Sequence, residues 1–132
     1  RKTINDLSKK YRIQSIAYDR WGASQLILDL TNQDGVPMTP IGQGFVSLSA
    51  PTKTFEREIL AKNVIHPNNK CLNWCMSNVA IQEDAAGNIK PAKNKSKEKI
   101  DPVVATICAF AEMMTMDSGD SIYDDRGLIL LW

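Results

Sequence analysis

The chain has 132 residues, 43% of them hydrophobic and 23% charged, with a formal net charge of +1. That length suits one domain with a real core, and the near-neutral total excludes a globally basic nucleic-acid binder. No apolar run approaches the roughly 20 residues that a membrane-spanning helix requires.

Ile4, Leu7 and Tyr11, spaced by three and four, predict a short amphipathic helix over 3–12. The apolar run 13–18 predicts a first strand that ends on Asp19. Ala23, Leu26, Ile27 and Leu30 share one face of a helix over 22–33, which stops near Asp34 and Gly35. Pro37 and Pro40 interrupt an extended segment over 36–41 and suit it to a sheet edge. Ser49, two residues before Pro51, predicts a helix start with serine as cap and proline in the first turn. That helix would run to 63 and bury Phe55, Ile59 and Leu60.

A short helix over 69–77 is predicted to turn Leu72, Cys75 and Met76 inward. Extended segments 79–83 and 89–90 flank a turn-rich 84–88, the pattern of a hairpin. Asp101 and Pro102 then open the strongest helix, with Val103, Val104, Ile107, Cys108, Ala111 and Met114 along one stripe. Helix alternating with strand predicts an α/β fold with partly parallel pairing. The chain begins at Arg1 with no signal-peptide pattern, which predicts a fragment or a processed chain.

Three cysteines are an odd count, and Cys71 and Cys75, four apart, stack on one helix face instead of forming a zinc knuckle. With a single histidine, the expectation is reduced, buried cysteines in a cytosolic protein. No phosphate-binding glycine loop or dinucleotide fingerprint is present, so an ATPase or a dinucleotide enzyme has no support.

Two aspartates carry the candidate chemistry. Asp19 closes a buried strand, where open α/β sheets place their sites, and Asp101 sits at the first turn of a helix. Converging, they offer hard oxygen donors suited to Mg²⁺ or Mn²⁺. Each also has a purely structural reading, as a strand-end turn residue and a helix cap. Just upstream of Asp101, residues 90–99 hold five lysines against one glutamate, a local charge of +4 on a body of −3. Lys93, Lys95, Lys97 and Lys99 are the candidates for sequence-independent phosphate contact. A solvated, solubilising loop is the alternative. Arg20 and Lys53 are expected in surface ion pairs before DNA contact, His66 in a structural role before that of a general base, and Trp21 and Trp74 in the core before stacking on bases.

Several segments, in order, resemble the C-terminal nuclease domain of tailed-phage or prophage terminase large subunits. They are Ile16-Ala17-Tyr18-Asp19-Arg20-Trp21, Gly42-Gln43-Gly44-Phe45, Ser47-Leu48-Ser49-Ala50-Pro51-Thr52-Lys53 and Leu72-Asn73-Trp74. Asp84-Ala85-Ala86-Gly87-Asn88-Ile89-Lys90-Pro91, Lys97-Glu98-Lys99-Ile100-Asp101 and Asp125-Arg126-Gly127 complete the set. The resemblance covers roughly the whole chain. It implies a ribonuclease H-like mixed sheet flanked by helices, lacking the first strands, so that residues 1–132 form the C-terminal portion of such a domain.

The implied activity is a metal-dependent endonuclease that cuts concatemeric viral DNA during packaging. In that family three acids hold two divalent ions, Mg²⁺ or Mn²⁺. Asp19 matches the second acid and Asp101 the third. The first would lie upstream of Arg1, so one ligand is expected from outside this chain, unless Glu83 or Asp84 moves in. Pro102 stands where family members often carry glycine, and proline is comfortable at a first helical position. The implied partners are double-stranded DNA and, in a full-length protein, the packaging ATPase domain, the small terminase subunit and the portal. No membrane is implied, and the setting would be the cytoplasm of the bacterial host. Two other readings remain: a catalytically silent fragment or prophage remnant that binds DNA or a packaging partner, and an α/β module whose lysine loop recruits an acidic partner.

Overall fold

A computed structural model describes residues 1–22 and 24–117. Helix α1 (Lys2–Lys10) leads into strand β1 (Ile16–Asp19), a single 3-10 turn (Arg20–Gly22) and helix α2 (Gln25–Asn32). Strand β2 (Met38–Ile41) and helices α3 (Phe45–Leu60) and α4 (Lys70–Asn78) follow. A hairpin of β3 (Ile81–Glu83) and β4 (Ile89–Pro91) then precedes helix α5 (Asp101–Asp117). The Asp125-Arg126-Gly127 segment and Ala23 lie outside the described residues.

Strands β1 and β2 pair in parallel, Ile16 opposite Met38 and Asp19 opposite Ile41, with α2 supplying the crossover that parallel strands need. Strands β3 and β4 pair antiparallel, Ile81 opposite Pro91. The single mixed sheet expected from sequence is therefore two separate two-stranded sheets among the described residues. The hairpin is anchored on a helix instead of a strand: the Ile89 N–H donates to the buried Ser49 hydroxyl of α3 at 3.1 Å.

Helix α5 is the hub. Val103, Val104, Ile107 and Cys108 on its predicted stripe are buried with Ile100, Leu48 and Phe55 of α3, and Cys75 of α4. Ala17 of β1 and Ile41 of β2 pack on the same cluster, and Phe55 meets Phe110 edge-on at 5.0 Å. A polar chain ties the parallel pair to α5: the Ser15 and Thr39 hydroxyls lie 2.8 Å apart, and Thr39 donates to Glu112 at 2.7 Å.

The start of α3 differs from the sequence expectation. Gly44 is its N-cap and Phe45 its first residue, so Ser49 is no cap and Pro51 lies inside the helix. An earlier start seats Leu48 in the core and places the Ser49 hydroxyl under Ile89. Those gains outweigh the one backbone hydrogen bond that a proline removes, and the Thr52 hydroxyl adds a bond to the Leu48 carbonyl at 2.6 Å. Ser49→Ala should destabilise the fold by about 1–3 kcal/mol, because the Ile89 N–H loses its partner. Urea denaturation measures this, and a change below a few tenths of a kcal/mol would refute it.

Helix α4 forms close to the expected span, and Asn69 proves to be its cap, with the carboxamide oxygen accepting from the Leu72 N–H at 3.0 Å. Other burial expectations fail at the rim: Leu60 is 76% exposed, Met76 and Cys71 are exposed, and Cys75 and Cys108 are the buried thiols. Leu60 ends α3 just before the chain reverses through Lys62 at φ 61°, so little packs over it. No helix among the described residues is long and apolar enough to cross a membrane.

Candidate active site

Asp19 stands at the exposed tip of β1, and its Oδ1 accepts the Trp21 N–H at 3.0 Å. This short loop from side chain to backbone locks the carboxylate to the 3-10 turn. Asp101 is the first residue of α5 and exposed, and its Oδ1 accepts from the Lys93 ammonium at 2.6 Å. The Lys93 hydrogen bond, reinforced by that lysine's charge, holds the Asp101 carboxyl below the usual carboxylate range.

Asp19 ends β1, whose Ala17 packs on the cluster that includes α5, and Asp101 opens α5 itself. Cys108 is seven residues beyond Asp101, two turns along the same face and roughly 10 Å away along the axis. Burial pushes its thiol up, and the Gln43 hydrogen bond at 3.7 Å pulls it back. The Asp19 and Lys93 charges then act on it in opposite senses. Lys93 thus ties the loop before α5 to the first residue of that helix.

Of the loop lysines, Lys93, Lys95, Lys97 and Lys99 are exposed, and the Lys99 charge also reaches Asp101. The turn carrying them is pinned by Ser96, whose hydroxyl donates to the Ala92 carbonyl and accepts the Ala80 N–H. Lys90 has a structural post instead, donating to the Gln43 carbonyl at 3.2 Å and lying 5.0 Å from the Phe45 ring centroid. A cleft of about 260 Å³ lined by Gln43, Gln82, Lys90 and Lys93 adjoins the loop, and neither aspartate lines it. Gln43, which touches both Cys108 and Lys90, was singled out by sequence reasoning only within its Gly42-Gln43-Gly44 segment.

Among the described residues no group of three His, Cys, Asp or Glu side chains gathers into a metal cluster. Glu83 and Asp84 do not complete one. Asp84 belongs to its own hairpin, accepting from the Asn88 side chain and from the Ala86 and Asn88 N–H groups. The donor set is still the right kind for Mg²⁺ or Mn²⁺: two accessible carboxylates, one already holding a cationic group. Trp21 and Trp74 are not core residues; Trp21 is 81% and Trp74 49% exposed. Arg20 caps the Trp21 ring at 5.6 Å, Lys53 bonds the Gly87 carbonyl at 2.9 Å, and the His66 Nδ1 accepts the Asn68 N–H.

Comparison with known proteins gives one family. The family described as terminase large subunit, endonuclease domain, matches residues 2–117. Protein YmfN of Escherichia coli K12 is 34% identical over 80% of this chain and 24% of its own length. The terminase large subunit of Lactococcus phage SK1 is 31% identical over 86% of this chain and 22% of its own. The crystal structure of the HK97 bacteriophage large terminase superposes with a TM-score of 0.73 at 28% identity, covering 84% of this chain and 23% of that one. The chain spans about a quarter of the length of the relatives it matches. The chain belongs to the terminase large subunit endonuclease domain family.

Proposed function

We propose that this chain is the C-terminal portion of a ribonuclease H-like nuclease domain that cleaves concatemeric double-stranded DNA during viral genome packaging, with Asp19 and Asp101 as metal-holding catalytic acids. The observation that carries the reading is the family match over residues 2–117, and an exposed carboxylate at the tip of β1, another at the start of α5 and the exposed lysine turn before it support the roles. A pair of bound Mg²⁺ or Mn²⁺ ions supplies an activated water and charge stabilisation for the leaving 3′ oxygen. Asp19 would hold metal from a position fixed by its bond to the Trp21 N–H, and Asp101 from the first turn of α5. Lys93 must release Asp101 when metal binds, and its ammonium is then free for phosphate. A third acid would complete the ligand set. The packaging ATPase domain, the small terminase subunit and the portal are the proposed partners of the intact protein, in the bacterial cytoplasm.

The test incubates supercoiled plasmid with the intact protein and Mn²⁺, Mg²⁺ or EDTA, with Asp19→Asn as control. Cutting that needs metal and disappears with the substitution supports the reading. Salt-sensitive retention of DNA without any cutting would leave a silent binder instead. Removing Lys95, Lys97 and Lys99 together should weaken duplex binding alike for all sequences. It should also flatten the log–log salt dependence by about 0.9 for each phosphate that is no longer neutralised. An unchanged salt slope would exclude the loop from the DNA interface.

A further inference from the structure

The indole of Trp21 is 81% exposed, although tryptophan is among the residues that proteins bury most of on average. Its backbone is held in place: the Trp21 main-chain N–H is bonded to the Asp19 carboxylate at 3.0 Å. The Arg20 guanidinium lies 5.6 Å from the ring centroid. Arg20 in turn lies over Gly42, where an added Cβ would come within 3.6 Å of its Nη2. A bare aromatic face braced by a cation is the arrangement that stacks on nucleic-acid bases. Its backbone is two residues from Asp19, at most about 7 Å along the chain. That distance is within one or two nucleotides of any phosphate held at Asp19, given about 3.4 Å of rise per nucleotide.

Resting on the nuclease reading above, we propose that Trp21 is a DNA-positioning residue that stacks on a nucleotide unstacked from the duplex beside the scissile phosphate, with Arg20 bracing the ring and neutralising the neighbouring phosphate. The indole face accepts any base, so the contact selects deformable or locally unpaired DNA instead of a sequence. Duplex steps that unstack easily, such as TA and CA, would be favoured for the same reason.

The experiment measures binding of the intact protein in EDTA, where no cutting occurs, to two labelled duplexes that differ by one unpaired nucleotide. An aminopurine at that nucleotide reports stacking. The wild type is expected to prefer the unpaired duplex by roughly five- to tenfold, the scale of one base–aromatic stack, and to quench the aminopurine. Trp21→Ala should bind both duplexes alike and leave the probe unquenched, whereas Trp21→Phe should keep most of both effects. Because the ring lies outside the core, circular dichroism of Trp21→Ala should match the wild type. A wild type without preference, or a preference that survives Trp21→Ala, overturns the proposal, and the second result would mean that another group makes the contact. Failure of the nuclease reading appears separately, as absent metal-dependent cutting with the binding ratio still measurable.

Discussion

Asp101→Asn is expected to abolish DNA cleavage, by at least about 100-fold, while tightening DNA binding. The first effect follows from the loss of an anionic oxygen donor: a carboxamide presents a neutral oxygen that holds Mg²⁺ or Mn²⁺ poorly. The second follows from the 2.6 Å bond to Lys93. Without the carboxylate, one negative charge leaves the DNA-facing surface and the ammonium becomes available to phosphate. Neutralising one more phosphate steepens the log–log salt dependence by about 0.9.

Asp19→Asn should lose cleavage with a smaller gain in binding, because it removes one negative charge but frees no lysine: Asp19 bonds a backbone N–H. Neither change should cost much stability. The depressed native pKa of Asp101 means that its pairing stabilises the fold above the unfolded carboxyl's pKa, and that this contribution disappears as pH falls through the native value. With 61% of the Asp101 side chain and 59% of the Lys93 side chain exposed, solvent screens the pair, and exposed pairs contribute about 0–1 kcal/mol. Plasmid cleavage with Mn²⁺ and a salt titration of binding, run on both variants, decide the matter. Wild-type cutting by Asp101→Asn would remove it from the metal site, and weaker binding would refute the Lys93 argument.

The second large effect is on stability. Ile107→Ala should destabilise the protein by about 2–5 kcal/mol, since Ile107 is 2% exposed at the centre of the cluster that joins α3, α4 and α5. For a domain of this size that lowers Tm by on the order of 10 °C. Ile107→Val should cost only about 0.5–1.5 kcal/mol, because it removes a single methylene. The consequence for function is geometric. Helix α5 carries Asp101 at its start and packs on β1, which ends at Asp19, so the separation of the two acids depends on its seating. Thermal denaturation by circular dichroism measures both variants, and a loss below about 1 kcal/mol for the alanine would show that the core closes over the gap.

Sequence alone determined those elements whose signals are local. The Asp101-Pro102 start and apolar stripe of α5, the short helix α4 and the turn-rich 84–88 between two short strands each rest on signals within a few residues, and each appears close to where expected. The family was also legible in the ordered segments, because an ordered set of short matches is specific where each member is not. Tertiary structure decided the rest. Ser49 and Pro51 look like a helix start until Leu48 finds the core and Ile89 needs an acceptor, and both gains come from partners that local sequence does not show. Trp21 resembles a core residue by composition and is exposed, because the turn after Asp19 carries it off the strand and away from the cluster. The pairing of Lys93 with Asp101 and the contact of Gln43 with Cys108 were equally hidden. They are through-space interactions across 8 and 65 residues of chain, set by how the elements pack and not by any period along them.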